Sequence, residues 1–262
     1  MNLPFLASLA GVATILAACS TTPETPAAPT KPLTAAQQKA QIAQLKLAYG
    51  APEQIDSSAY VLYPLVLGKD VVEEESEYSS SSRYEVDKYW NLAFYNPTNG
   101  TSHLLDSTRR MVIYSYEPKS SDDKVTSMSA AAFAEYVRGS FTQVDKLLYY
   151  SVRTLDFNHD GELTRDDPNY LFISDKAGNG FRQVSPDTYN VHSWQLLLAT
   201  NKILLQATAD TNHNQKFDEN DTDVLLVYDL ATGGPAKEVF NEAFKTKVKN
   251  IYHAQWAKKP VQ

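Results

Sequence analysis

The stretch Leu171–Pro186 reads LFISDKAGNGFRQVSP: an apolar run, an aspartate, a turn with glycine and a second short run. Two other stretches share this plan, LAFYNPTNGTSHLLD from Leu92 and LLVYDLATGGPAKEVFN from Leu225. In each, Asn or Asp follows the first leucine at the same distance, since 96 − 92 = 175 − 171 = 229 − 225 = 4. An Asx side chain caps a turn, and glycine supplies positive φ. The three stretches therefore predict three β-hairpins of one kind.

These hairpins recur along the chain with insertions between them. Their turns start at Asn96, Asp175 and Asp229, at spacings of 175 − 96 = 79 and 229 − 175 = 54 residues. Short runs of Tyr, Val, Leu and Phe, separated by Asn, Asp, Gly and Ser, are typical of antiparallel β proteins. We therefore expect a mainly β fold, an antiparallel β-repeat domain over residues 55–262.

A strand ending in Asp or Asn, a turn ending in Gly and a following strand resemble the outer hairpin of TolB-like and WD40-like β-propeller blades. The resemblance covers about residues 60–241 and implies a partial or small propeller-like body, because such periods lie near or above those of propeller blades. Only three repeats are clear, whereas propellers usually have four or more blades. The runs Tyr60–Leu67 and Met111–Tyr116 are candidates for a fourth, degenerate unit. Otherwise the sheet is open or closes through a partner.

A loop with the pattern of a calcium site lies before the second hairpin. Residues 156–167 read DFNHDGELTRDD, with oxygen-bearing side chains at alternate positions, glycine at position 6 and the apolar Leu163 at position 8. This resembles the EF-hand loop, although position 12 is Asp instead of the usual bidentate Glu, as in dockerin-like loops. Hard oxygen ligands on a flexible backbone favour calcium, with micromolar or looser affinity. The predicted ligands are Asp156, Asn158, Asp160, Glu162 (through its carbonyl), Thr164 and Asp167.

A second, poorer copy occupies residues 210–221, DTNHNQKFDEND, where Gln215 replaces the glycine. It starts 210 − 156 = 54 residues after the first, which equals the spacing of the last two hairpins. Both loops thus fall at one place in the repeat, which favours a shared role. The predicted ligands here are Asp210, Asn212, Asn214, Lys216 (through its carbonyl), Asp218 and Asp221.

The neighbours of both loops are strand-like, and Pro168 directly follows the first. A calcium-sensing loop needs flanking helices that can swing open. We therefore interpret the ions, one or two, as structural. The alternative is that both acidic loops are ordinary Asx-rich turns without metal.

The amino terminus resembles that of bacterial lipoproteins. An apolar run in residues 1–18 has the length of a signal-peptide core, and Leu16-Ala17-Ala18-Cys19 resembles a lipobox. Cys19, the only cysteine, would be lipidated, and residues 19–32, rich in Pro, Thr and Ala, would form a disordered tether. By resemblance to such lipoproteins, a residue other than Asp after the cysteine, here Ser20, implies the outer membrane, on its periplasmic or surface face.

Helical patterns flank and interrupt the β-repeat. Segment 33–50 predicts a helix over Thr34–Tyr49, and SMSAAAFAEYVRGS from Ser127 predicts another. The stretch NEAFKTKVKNIYHAQWAKK from Asn241 predicts a third, with Phe244, Val248 and Ile251 or Tyr252 facing inward.

No catalytic constellation is present in the sequence. The net charge of −7, without a basic run, argues against nucleic acid as a partner. The five histidines show no paired metal spacing, and no serine lies in a GxSxG context. We expect a lipid-anchored envelope protein that binds or scaffolds an envelope protein or polymer. The alternative is a hydrolase of envelope glycans or peptides that uses acidic loop residues.

Overall fold

The computed structural model describes residues 34–55, 58–68, 88–117 and 146–256. The predicted mainly β, antiparallel architecture is confirmed: these ranges contain thirteen strands and two α-helices, and the strands form no closed barrel. The predicted signal peptide, Cys19, the tether and the helix from Ser127 lie outside the described residues. Neither described helix is long and apolar enough to cross a membrane.

The elements follow in chain order. The helices are α1 (Ala35–Gln44) and α2 (Glu242–Trp256), and a 3₁₀ turn covers Leu198–Thr200. The strands are β1 (Ala48–Tyr49), β2 (Glu53–Gln54), β3 (Val61–Val66), β4 (Tyr89–Tyr95), β5 (Ser102–Leu104), β6 (Val112–Glu117), β7 (Leu147–Arg153), β8 (Tyr170–Asp175), β9 (Arg182–Gln183), β10 (Tyr189–Leu197), β11 (Lys202–Ala209), β12 (Thr222–Asp229) and β13 (Lys237–Glu238).

All three predicted hairpins are present, as β4–β5, β8–β9 and β12–β13. In each, the Asx side chain accepts a hydrogen bond from the backbone N–H two residues later. The second strand then returns to the leucine that starts the repeat. The returning bonds run from Leu105 N to Leu92 O (2.8 Å), Val184 N to Leu171 O (2.9 Å) and Val239 N to Leu225 O (2.8 Å). Local turn chemistry therefore sets the same register three times.

Each hairpin closes a unit of consecutive antiparallel strands. Strands β6–β9 form one such unit and β10–β13 another, while β3–β5 form the first with β1 and β2 paired to β3. The first two units join in one nine-stranded sheet through a single pair, Tyr89 with Ile113. The candidate fourth unit is therefore wrong: β3 belongs to the first unit and β6 opens the second.

The second unit is packed on both faces, because alternate residues of β7 and β8 point to opposite sides. Tyr150 and Phe172 belong to one buried cluster, with Leu92 and Phe94 of the first unit. Ile173 belongs to another buried cluster, whose members from the third unit are Val191, Ile203, Leu205, Ala207, Val224, Leu226 and Tyr228. A strand buried on both faces must be apolar throughout, which explains the continuous run in YLFISD.

The turn of the second hairpin rests on the first unit. Gly178 has φ +80°, and a Cβ there would lie 2.5 Å from Cε2 of Phe94. His103 of β5 stacks on Phe94 with ring centroids 5.3 Å apart, and its Nε2 lies 2.8 Å from the carbonyl oxygen of Ala177. His103 is thus a structural strand residue.

The helix α1 is shorter than predicted. The chain divides into two parts, Met1–Leu45 and Lys46–Gln262, and α1 lies in the smaller part. Thr34 and Gln37 form a capping box that starts the helix, which ends at Gln44. The predicted continuation fails because Ala48 and Tyr49 pair with β3, and these ladder hydrogen bonds outweigh local helix propensity. The β body therefore starts before residue 55.

The carboxyl-terminal helix is present as α2, but its predicted inward face is wrong. Phe244, Val248, Ile251 and Tyr252 are all exposed. Phe244 stacks instead on Phe240, just before the helix, with ring centroids 4.7 Å apart. Lys245 bonds to Glu242 at 2.8 Å and also contacts Glu238 of β13. The helix is thus joined to β13 by local contacts.

Candidate metal centre

The two acidic loops occupy equivalent places in the second and third units. The first, Asp156–Asp167, connects β7 to β8, and the second, Asp210–Asp221, connects β11 to β12. Both therefore lie in a hairpin whose strands are antiparallel neighbours. The predicted equivalence of the loops is confirmed in their position.

The first loop is organised by its own acidic side chains. The carboxylate of Asp156 accepts hydrogen bonds from the backbone N–H groups of Asp160 (3.0 Å) and Gly161 (2.9 Å). Asn158 Oδ1 also accepts from Asp160 N, at 3.1 Å, and Asp160 Oδ1 accepts from Glu162 N at 2.8 Å. The side chains at positions 1, 3 and 5 are therefore turned toward the inside of one coil of backbone.

Position 12 closes the first loop at both ends. Asp167 Oδ1 accepts from Phe157 N at 2.7 Å, and Oδ2 accepts from Thr164 N at 2.9 Å. Asp167 is only 1% exposed, and Leu163 at position 8 is 8% exposed. The buried leucine confirms the predicted apolar contact of position 8. The shorter aspartate at position 12 thus still spans the loop, from its second residue to its ninth.

The second loop repeats this arrangement. Asp210 accepts from Asn214 N and Gln215 N, both at 3.2 Å, and Asn214 Oδ1 accepts from Lys216 N at 2.9 Å. Asp221 closes the loop, accepting from Thr211 N at 2.9 Å and Asp218 N at 3.0 Å. Positions 1, 5 and 12 thus accept from the same positions in both loops, although the sequences differ at position 6.

Both loops need two left-handed residues, at positions 4 and 6. The φ angles are 63° at His159 and 89° at Gly161 in the first loop, and 60° at His213 and 62° at Gln215 in the second. Glycine tolerates this conformation, whereas glutamine does not do so readily. The second loop therefore keeps the shape of the first at the cost of strain at Gln215.

Replacing Gln215 by glycine is expected to stabilise the protein. The left-handed conformation costs a glutamine about 1–2 kcal/mol, and glycine returns about 0.5–1 kcal/mol of that through the entropy of the unfolded chain. We expect Gln215→Gly to raise the free energy of unfolding by about 0.5–1 kcal/mol, measured by urea denaturation. The matched control, Gly161→Gln, should lower it by a similar amount. A loss of stability in both variants would refute the assignment of strain.

Backbone hydrogen bonds keep several loop carboxylates ionised. Bonds from Glu162 N and the Asn158 side chain lower the pKa of Asp160. Bonds from Asn220 N and the Asn214 side chain lower the pKa of Asp218, and the bond from Asp218 N lowers that of Asp221. A lowered pKa suits a carboxylate that faces a cation. It does not suit the general acid of a hydrolase, which needs a raised pKa.

The residues predicted as ligands lie along two coils of backbone, one per loop. The side chains of Thr164 and Asp218 both lie at position 9, where each accepts a hydrogen bond from the N–H two residues later. Glu162 and Lys216, predicted to act through their carbonyls, lie in the exposed part of each coil. Among the described residues, no three His, Cys, Asp or Glu side chains gather as a ready metal cluster. The loop oxygens instead accept backbone N–H groups.

An aromatic contact joins the two loops, and sequence reasoning missed it. Phe157, at position 2 of the first loop, stacks on Phe217, at position 8 of the second, with ring centroids 5.1 Å apart and an interplanar angle of 25°. Arg110 adds a bond from Nη1 to the carbonyl oxygen of Gly161 at 2.8 Å. The available signal was Phe157 itself, an aromatic residue directly after Asp156. A single sequence does not show which residue such a side chain contacts.

Truncation of the two rings is expected to be non-additive. In a cycle of Phe157→Ala, Phe217→Ala and the double variant, we expect a coupling free energy of about 0.5–1.5 kcal/mol from urea unfolding. The control cycle pairs Phe157→Ala with Phe244→Ala in α2, and its coupling should stay below about 0.5 kcal/mol. Additivity in the first cycle would mean that the loops are not joined by this stack.

Comparison of the chain with protein-family models gives no match, and comparison with curated proteins gives none.

Proposed function

We propose that this protein is a lipid-anchored protein of the bacterial cell envelope. Its β-repeat body, braced by calcium in one or both loops, acts as a binding or scaffold module for an envelope protein or polymer. The observation that carries the proposal is the repeated loop: two loops of different sequence keep one hydrogen-bond frame at equivalent positions. The shared arrangement of hydrogen bonds is explained if both loops must present their oxygen atoms to the same kind of ion.

The donor set of the first loop fits calcium. Asp156, Asn158, Asp160 and Asp167 would supply hard side-chain oxygens, and calcium takes six to eight oxygen ligands, including carbonyls and water. A carboxylate has about four lone-pair sites, so those that accept backbone N–H groups keep sites for an ion. In the second loop Asn214 replaces an aspartate, which removes one charge and weakens binding. When bound, the ion neutralises the crowded carboxylates and fixes the loop.

A bracing role is favoured over a sensing role by the neighbours of each loop. Antiparallel strands lie on both sides, and the Phe157–Phe217 stack holds one loop against the other. A sensor needs elements that reorient when the ion binds. Strands already paired in register offer no such freedom, so calcium would stabilise the body without changing its shape.

The membrane anchor would be Cys19, with residues 19–32 as tether, in the outer membrane. Feeding cells a labelled fatty acid tests this: we expect label in the wild-type protein and none in Cys19→Ser. Cross-linking of intact envelopes, followed by purification with and without a calcium chelator, tests the binding role. We expect a specific partner or polymer that is lost or reduced on chelation. An unlabelled wild-type protein, or the absence of any cross-linked envelope component, would contradict the proposal.

A further inference from the structure

A cavity of about 480 Å³ lies between the second and third units. Its walls come from β6, β7 and β10, and no residue of either loop lines it. This volume is within the range of small-molecule binding sites, roughly 300–1,000 Å³. The lining residues used below are Ser115, Glu117, Ser151, Asn169, Trp194 and Gln195.

The cavity exists because the interface between the two units loses its large side chains at this end. Tyr149 of β7 is buried and stacks on Trp194 of β10, with ring centroids 5.3 Å apart. Two residues later on the same face is Ser151, and its cross-strand partner is Ser115. The stacked pair Tyr149 and Trp194 fills the interface between the two units. The small side chains of Ser115 and Ser151 do not fill it, so a space remains beside them. The sequence alone does not reveal this cleft.

The polar groups around this space have hydrogen-bonding capacity to spare. Within the described part of the chain, the side chains of Ser115, Glu117, Ser151 and Gln195 make no hydrogen bond. Asn169 uses its amide nitrogen on the carbonyl oxygen of Val191, at 3.2 Å, while its Oδ1 is buried without a partner. A buried acceptor left without a donor is costly.

A β-bulge places one more polar group at the cleft. The register of β10 and β11 shifts between Val191 and Ser193, so His192 is the extra residue. Its Nε2 lies 2.6 Å from Thr208 Oγ1, and that hydroxyl donates to Asp223 at 2.9 Å. Because Thr208 donates its only hydroxyl proton to Asp223, His192 Nε2 must be the donor in the hydrogen bond to Thr208 Oγ1. The ring is thereby held in one orientation at the cleft.

The chemistry of these walls favours an uncharged, hydroxyl-rich ligand. Among the described lining residues there is no lysine or arginine, and Glu117 is acidic, which argues against a phosphate or a carboxylate as the main feature of the ligand. Serine hydroxyls, an asparagine and a glutamine both donate and accept, as sugar hydroxyls do. The indole of Trp194 adds an apolar surface with a polar edge, which suits a sugar ring.

We propose that this cleft binds a short neutral saccharide, in contact with Ser115, Ser151, Asn169, Trp194 and Gln195. This inference narrows the polymer-binding part of the proposed function and rests on it. A peptide is the competing occupant, since β10 pairs only with β11 among the described strands and a peptide could add as a further strand. Strand addition would rely on the main chain of β10, whereas the groups that remain unused in the cleft are side-chain hydroxyls and amides, which favours the saccharide.

The test uses the purified full-length protein with three disaccharides as probes: cellobiose, N,N′-diacetylchitobiose and lactose. Tetra-alanine is the peptide probe. Saturation-transfer NMR and tryptophan fluorescence should detect at least one disaccharide, with a dissociation constant of about 1 mM or tighter. Ser151→Leu, which fills the cleft, should weaken binding at least about tenfold. The control Ser102→Leu, on an exposed strand position outside the cleft, should leave it unchanged.

A second variant protects the test against misfolding of Ser151→Leu. Gln195 is exposed at the rim, so Gln195→Ala should fold and still weaken sugar binding several-fold. Binding of tetra-alanine without any disaccharide, or of neither, overturns the inference. Equal binding by wild type and both cleft variants overturns it as well.

The same samples separate this inference from the calcium brace. Heat of calcium binding in calorimetry, without disaccharide binding, would support the calcium brace and refute the saccharide site. Disaccharide binding without any heat of calcium binding would refute the brace and support the saccharide site. The two parts of the account can therefore fail independently.

Discussion

Chelation of calcium is expected to lower the melting temperature of this protein by roughly 5–10 °C. An ion held at 100 times its dissociation constant stabilises the folded state by about 2.7 kcal/mol. For a body of about 200 residues, each kcal/mol corresponds to about 2–4 °C. The first loop, which has aspartates at positions 1, 5 and 12, should lose most when the ion is removed. Differential scanning calorimetry with millimolar calcium and with excess chelator measures the shift.

Variants at position 5 assign this shift to one loop or the other. Asp160→Ala should remove most of the difference between the calcium and chelator melting temperatures. Asn214→Ala, at the same position of the second loop, should remove less, because Asn214 carries no charge to offset that of the ion. If the melting temperature does not respond to calcium in the wild type, the loops are ordinary turns and the brace is wrong.

Substitution of Gly178 by alanine is expected to destabilise the protein by about 1.5–4 kcal/mol. Two costs add at this position. Its φ of +80° penalises any Cβ by about 0.5–1 kcal/mol, after subtraction of the unfolded-chain entropy that glycine carries. The new methyl would also lie 2.5–2.8 Å from three ring carbons of Phe94, which is fully buried and stacked against His103. Overpacking of this kind costs a further ~1–3 kcal/mol.

Gly180, in the same turn, is the matched control. Its φ is +69°, but no atom lies within 4 Å of an added Cβ. Gly180→Ala should therefore show only the net backbone cost, about 0.5–1 kcal/mol in urea unfolding. Equal losses for the two variants would mean that the turn of the second hairpin does not press on the first unit.

The hairpins and the loops could be predicted because their signals are local. An Asx residue and a glycine at the turn, or alternate oxygen-bearing residues before a glycine, fix backbone hydrogen bonds within a few residues. The first loop was complete in this sense. The second loop was predicted despite Gln215, and the structure shows that glutamine adopts the left-handed conformation that glycine would favour.

What could not be predicted depends on contacts between distant parts of the chain. Whether Ala48 and Tyr49 extend a helix or pair with β3 depends on a strand outside the helical segment, Val61–Val66. The Phe157–Phe217 stack and the serine-lined cleft likewise arise only when the third unit packs on the second. The exposed apolar face of α2 shows the same limit, since helical periodicity does not reveal whether a partner surface is present.

The central claim is that the two acidic loops bind calcium as a structural brace. Calorimetric titration of calcium into the metal-free protein tests it most directly. We predict saturable heat from one or two sites, the tighter of which is lost in Asp160→Ala and kept in Asn214→Ala. No heat up to millimolar calcium, or an unchanged titration in Asp160→Ala, would contradict the claim.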